Sequence, residues 1–249
     1  MLNTSDGAGP VADDTVSCGA TGNSAKPLTS RRDMLRAAGL GSAALILAGC
    51  TQGGIDLMSP LTASRAVVNS GGITLDFSMD IDVLNYAYAL EQLEAAFYVT
   101  VVTNAAFASI FAAHEQRVLR NVRDHEVVHR DFFAAVLGSA RIPNLTPDFS
   151  SVNFGDRSSV LQTARTFEDL GVSAYNGAAR YIANLTYLGI AGKIVSVEAR
   201  HAAAIRDLLD PLPRTGAFAP KAFDDANSPQ TVLTAADPFI VENITAINT

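Results

Sequence analysis

The chain has 249 residues, a formal charge of -7, 48% hydrophobic residues and 17% charged residues; that charged share is below the roughly 25% of an average soluble domain. One mid-sized domain with a segment ahead of it fits such a length. The acidic balance, with lysine only at Lys26, Lys193 and Lys221, excludes a nucleic-acid partner, because a phosphate backbone calls for clustered Lys and Arg.

Residues 1–29 are rich in Gly, Ser, Thr, Asp and Ala without an apolar period, which predicts disorder. Arg31 and Arg32 then precede an apolar run from Ala37 to Ala48, and the pair resembles a twin-arginine export signal. Leu47-Ala48-Gly49-Cys50 resembles the lipobox that is cut ahead of its cysteine. The run is shorter than the roughly 20 residues of a transmembrane helix, although an uncleaved membrane anchor is the alternative. The expectation is therefore a disordered n-region and signal peptide over 1–49 and a chain handed to the twin-arginine export machinery. It would be lipid-anchored to the membrane through Cys50 in the cell envelope or periplasm. Cys18 would be discarded, leaving no thiol for a disulfide or a Cys-ligated metal. Residues 50–74, with Gly, Ser and Pro and no long period, read as a tether.

Asp76, Ser78, Asp80 and Asp82 are N-cap candidates for a first helix over about 80–104. Its apolar positions recur at 3.6-residue spacing with Glu91 on the inward stripe. A second helix is predicted from about 106–112 to Leu137, ended by Gly138. Residues 138–157, with Pro143, Pro147 and Gly155, form a connection long for a compact domain. Third and fourth helices follow over about 158–183 and 186–209, the last stopped by Pro211 and Pro213. The region 211–249 reads as a tail with one short helix near 229–236 and extended segments packed on the bundle. A turn near 107–110 puts Glu91 and Glu126 about 17 residues, or roughly 25 Å, from the hairpin tip on each arm. Glu168 and Glu198 stand level in the second pair by the same reasoning.

The chemistry lies in a repetition. Glu126-Val127-Val128-His129 returns as Glu198-Ala199-Arg200-His201, and Glu91 and Glu168 are each followed seven residues later by a tyrosine, Tyr98 and Tyr175. The chain thus reads Glu-x6-Tyr, Glu-x-x-His twice over, an internal repeat of two helix pairs. Residues three apart share a helix face, so each Glu-x-x-His aims a carboxylate and an imidazole at one spot. A bundle site of this kind also takes one Glu from each of two further helices. Glu94 shares a turn with Glu91 and is the alternative first-helix ligand. A helical Glu is ordinarily a solvated charge, and the apolar neighbours argue against that here. The tyrosines are equally explicable as core packing, and His114 and His125 read as surface or core histidines. Asp131, two residues beyond His129, has no counterpart in the second half.

With Leu90-Glu91-Gln92-Leu93-Glu94-Ala95-Ala96-Phe97-Tyr98, both Glu-x-x-His copies and Phe167-Glu168-Asp169-Leu170-Gly171-Val172, the chain resembles the ferritin-like superfamily. The resemblance is to its bacterial desiccation-related group and spans roughly residues 75–210. It implies an all-α fold, a ferritin-like four-helix bundle of two antiparallel hairpins joined by a long crossover, with an irregular tail. It implies Glu91, Glu126, His129, Glu168, Glu198 and His201 as ligands of two iron ions, with Glu126 and Glu198 shared between them and Tyr98 and Tyr175 as nearby donors. The activity implied is Fe(II) oxidation by oxygen or peroxide in stress protection. A dimanganese catalase-like enzyme and a non-catalytic envelope protein against desiccation or stress are the alternatives. Bulk iron storage is not implied for an anchored chain with a long tail, and the partner left open beyond the membrane is a second copy in a homodimer.

Overall fold

The structure is a computed structural model and describes residues 67–69, 71–210 and 218–249. Arg31, Arg32 and Cys50, and with them the expected export signal and lipidation, lie outside the described residues. The described elements are the strands β1 (Val67–Asn69) and β2 (Gly72–Asp76), then the helices α1 (Asp80–Thr103), α2 (Phe107–Ile110) and α3 (Ala113–Leu137). After a long crossover come α4 (Arg157–Ala178), α5 (Leu185–Leu209), α6 (Pro229–Ala236) and the strand β3 (Ile244–Ile247). The four long helices form the expected all-α bundle, with α1 packed chiefly on α3 and α4 chiefly on α5. No helix among the described residues is long and apolar enough to cross a membrane.

The helix starts follow from local chemistry. Asp156 caps α4 by accepting from Ser159 N at 2.6 Å, Asn184 caps α5 by accepting from Thr186 N at 2.9 Å, and Ser228 with Pro229 opens α6. The start of α1 departs from expectation, because none of its four candidates caps it. Asp82 instead accepts from Asp76 N at 2.9 Å, and Asp76 Oδ1 accepts from both Ser78 N and Ser78 Oγ. Asp80 reaches across to accept from Ala183 N and Asn184 N at 2.7 and 2.8 Å, tying the start of α1 to the turn before α5. At the end of α3, Gly138 adopts φ 53°, a left-handed conformation that favours glycine.

Residues 67–69 and 72–74, read from sequence as tether, are instead paired. Strand β2 runs antiparallel to β1 and parallel to β3, which returns from the tail. Ile73, Leu75 and Phe77 alternate inward to the core, which is why this short stretch takes the strand period. The tail also grips the crossover: Asp148 N donates to Phe239 O at 2.8 Å, Val241 N to Thr146 O at 3.0 Å, and Thr146 donates from both N and Oγ to Glu242. Asn227 lies so close to Gly177 that a Cβ there would overlap its backbone carbonyl, and Asn227 N donates to Ser173 O. A glycine at this turn of α4 is what lets the tail lie on the helix.

Helix α1 is buried on almost every side, because α3 and α4 cover one face and the crossover covers the other. Its two crossover-facing polar side chains replace the hydrogen bonds that the loop backbone would make to water. Asn85 donates to Ala140 O at 3.0 Å and accepts from Ile142 N at 2.7 Å, and Gln92 accepts from Leu145 N at 2.9 Å. Substituting Asn85→Ala leaves two buried backbone groups unpaired. The expected cost is about 2 kcal/mol, read as a melting temperature lower by about 4–8 °C. An unchanged melting temperature would show that this side chain does not hold the crossover.

Candidate metal centre

One residue from α1, two from α3, one from α4 and two from α5 meet in the middle of the bundle. Glu91, Glu126, Glu168 and Glu198 are each 0% exposed, and His129 and His201 stand beside them. Two overlapping groups of donors could each hold a metal ion: Glu91, Glu126, His129 and Glu198, and Glu126, Glu168, Glu198 and His201. Glu126 and Glu198 belong to both.

The distances resolve the sharing to single atoms. His129 Nδ1 lies 2.7 Å from Glu198 Oε1, 3.4 Å from Glu91 Oε2 and 3.7 Å from Glu126 Oε2. His201 Nδ1 lies 2.6 Å from Glu126 Oε1 and 3.6 Å from both Glu168 Oε2 and Glu198 Oε2. Each shared carboxylate therefore gives one oxygen to each group, and each group has three oxygens and one nitrogen. None of these eight atoms has a hydrogen-bond partner, although all are buried. Within each group the four lie within 4.8 Å of one another. An orphaned buried polar atom is costly, and eight at one place are what a pair of cations would satisfy. The donor set, hard carboxylate oxygen with imidazole and no thiolate, suits iron or manganese.

The two outer carboxylates are held by crossed hydrogen bonds. Tyr175 Oη of α4 donates to Glu91 Oε1 on α1 at 2.5 Å, and Tyr98 Oη of α1 donates to Glu168 Oε1 on α4 at 2.5 Å. Each tyrosine thus serves the glutamate of the opposite hairpin, not the one seven residues before it. The bond occupies one carboxylate oxygen and leaves the other, Oε2, pointing into the centre, the orienting role that outer partners play in metal sites.

Glu94, the alternative first-helix ligand, belongs to neither group. It is buried at 4% exposure and leans on α4, where a Cβ at Gly171 would meet its Oε1 at 2.9 Å. Gly171 thus makes room for a fifth buried carboxylate beside the six donors. Asp131 turns away to pair with Arg130 on the surface. His125 is the residue that sequence reasoning passed over: its Nδ1 lies 2.8 Å from His201 Nε2, with the two rings stacked. The signal was its spacing, four residues before His129 on the same helix. His125-Glu126-x-x-His129 even spells the His-Glu-x-x-His of zinc peptidases, where both imidazoles take one ion. Here His125 is in neither donor group and backs the outer nitrogen of His201.

Without cations the cluster is electrostatically strained. Burial, then the Glu198 carboxylate, pushes Glu91 up to about 8, and burial followed by the Glu126 charge raises Glu168 and Glu94 well above the usual carboxylate range. Burial also acts against ionised Glu126, but contacts with His129 and His201 outweigh it and hold that group down at about 2. Burial disfavours the imidazolium of His201, yet Glu126 and Glu198 bring it up to about 10, and His129 is raised by Glu126, Glu198 and Glu91.

A carboxyl whose folded pKa lies above its unfolded value keeps a proton that the unfolded chain has lost. Stability then falls as pH rises between the two values. For Glu91 that window is 4.5 to about 8, and Glu94 and Glu168 act in the same direction. The raised histidines add stability that is complete below their unfolded value of 6.5 and is lost as pH climbs through their folded values. Chelator-treated protein should therefore melt at progressively lower temperature from about pH 5 to 8, while metal-loaded protein, whose ligands are already deprotonated, should not share the decline. Parallel melting curves for the two forms would contradict the assignment.

Residues 79–211, more than half of the chain, match the model of the ferritin-like domain family. No curated protein matches the chain. The matched region opens just before α1 and closes just after α5, so it spans the four helices that carry all six donors. Taken with the twice-used hairpin and its convergent donors, that match places the chain in the ferritin-like domain family.

Proposed function

We propose that this protein is an exported, lipid-anchored dinuclear iron carboxylate protein that oxidises Fe(II) with oxygen or peroxide in protection against stress. The observation that carries the reading is the set of eight orphaned donor atoms, split four and four with Glu126 and Glu198 common to both. Four carboxylate charges balance two divalent cations, which offsets the burial and the repulsion that otherwise lift Glu91 and Glu168 out of their ordinary range. Bound iron would supply one-electron chemistry, two Fe(II) reducing dioxygen and two protons to hydrogen peroxide, or hydrogen peroxide and two protons to two waters, as they pass to Fe(III).

The chain's own part is positioning. Glu126 and Glu198 would each offer one oxygen to either metal position, and His129 and His201 would add a nitrogen to each. Tyr98 and Tyr175 keep Glu168 and Glu91 turned inward and are themselves held neutral, since burial, then the adjacent carboxylates, raises both phenols well above their usual range. Upstream, Arg31, Arg32 and Cys50 support export and anchoring through their sequence pattern.

Protein loaded before export should carry about two iron ions per chain by elemental analysis, from the ligand count of a bundle site. Replacing Glu126 and His129 together by Ala should abolish metal uptake and Fe(II)-dependent oxygen consumption while the helical content remains. Manganese with oxygen evolution from peroxide would move the assignment to a catalase, and stoichiometric loss of neither metal nor activity in the double variant would end the metal reading. Cys50→Ser should release the protein from the membrane fraction if the anchor is as proposed.

A further inference from the structure

Between the donor layer and one end of the bundle lies an apolar cavity of about 30 Å³. All four long helices wall it, each within its two or three turns nearest that end: the start of α1, the end of α3, the end of α4 and the start of α5. Its inner wall is Leu90, Phe133, Ala174 and Tyr175, all buried, and its rim includes Ile182 and Tyr187, which are half-buried. The cavity therefore grades from a partly open mouth to a dry interior. Tyr175 joins it to the centre: the ring lines the cavity while the hydroxyl is bonded to Glu91. Leu90 is the chain neighbour of Glu91 on the same wall.

We propose that this cavity takes up dioxygen and delivers it to the metal centre past Tyr175. Size and polarity select the occupant. At one water-sized sphere per roughly 10–15 Å³ there is room for about two such small molecules, far less than a hydrocarbon chain or ring would need. The walls are apolar apart from three tyrosine hydroxyls: that of Tyr175 is engaged, that of Tyr86 is buried without a partner, and Tyr187 belongs to the half-buried rim. The buried interior therefore offers one free hydroxyl, that of Tyr86, short of the two to four partners that a buried water requires. A small apolar gas loses nothing on entering. Hydrogen peroxide, a strong donor and acceptor, would leave its hydrogen bonds behind. The inference rests on the iron reading above and names dioxygen as the oxidant that this chain admits from this end.

Xenon probes the cavity independently of any metal, because it enters dry apolar cavities in proteins. In metal-free full-length protein, xenon under pressure should occupy a site bounded by Leu90, Ala174 and Tyr175, seen as a saturable xenon chemical-shift change. Ala87→Leu, which projects three further carbons from a lining position, should abolish that site. In the Fe(II)-loaded protein the same variant should slow oxidation by dioxygen about fivefold or more and leave oxidation by hydrogen peroxide within about twofold, since a blocked interior in a close-packed bundle does not relax. Should Ala87→Leu not fold, Ala178→Leu fills the same cavity from α4 and carries the same expectations. Wild-type protein that binds metal but no xenon overturns the proposal while leaving the metal centre intact. Equal slowing with both oxidants, or none with dioxygen, also overturns it. A chain that binds xenon but no metal brings down the iron reading and this delivery route with it.

Discussion

Four carboxylates with no exposure to water, brought together at the centre of a helical bundle, are the constraint on which the rest of this structure depends. A single buried carboxylate already resists ionisation, and here each charge adds to the penalty of the next. The chain offsets this in part with His129 and His201, and contact with both imidazoles holds Glu126 down while burial and neighbouring charge push Glu91 and Glu168 up. Two imidazoles cannot satisfy four carboxylates, and the atoms left over are arranged as two complete donor sets. A core built only for stability would place leucines at these positions.

Holding such a cluster demands rigid surroundings, and the wrapping of α1 supplies them. A surface helix has one apolar stripe, but α1 is enclosed, with α3 and α4 on one side and the crossover on the other. The tail then fastens the crossover through Phe239, Val241 and Glu242, and the aromatic rings of Phe97, Phe149, Phe167 and Phe239 interlock where crossover, tail and bundle meet. Phe97 and Phe167 are the immediate neighbours of Tyr98 and Glu168. Packing between loop, tail and bundle thus fixes the helix turns from which the donors project.

The sequence made the six donors legible because a helix converts spacing into direction: three residues apart means one face, and equal distances from a hairpin tip mean equal height. The matched seven-residue step to tyrosine distinguishes Glu91 from Glu94, and Glu94 leans on α4 at Gly171 outside both donor groups. What spacing could not show was reach across the bundle. Tyr98 and Tyr175 serve the opposite hairpin, since side chains two turns from a glutamate end nearer the antiparallel neighbour's glutamate than their own. The sheet was hidden for a similar reason: β2 finds its parallel partner in β3, more than 160 residues later, and local pattern carries no trace of such a pairing. Likewise, caps read from Asp76 and Asp82 failed because their carboxylates had better-placed partners in the incoming strand and its turn.

The repeat in sequence does not make the two halves equivalent in structure. His201 is backed by His125 through its outer nitrogen, whereas the second half offers His129 no such imidazole, because the counterpart of His125 there is Val197. The crossover covers α1, and the tail lies on α4 at Gly177. The apolar cavity reaches the donor layer beside Glu91 and Tyr175, whereas Tyr98 and Glu168 are embedded among the interlocked phenylalanines. Two donor sets of the same composition therefore sit in unlike dielectric and steric surroundings. The position formed by Glu91 and His129 is the one open toward small apolar molecules, and the one formed by Glu168 and His201 is the one braced by a second imidazole. A duplicated hairpin supplies the donors; the unduplicated segments, crossover and tail, make the two donor sets different.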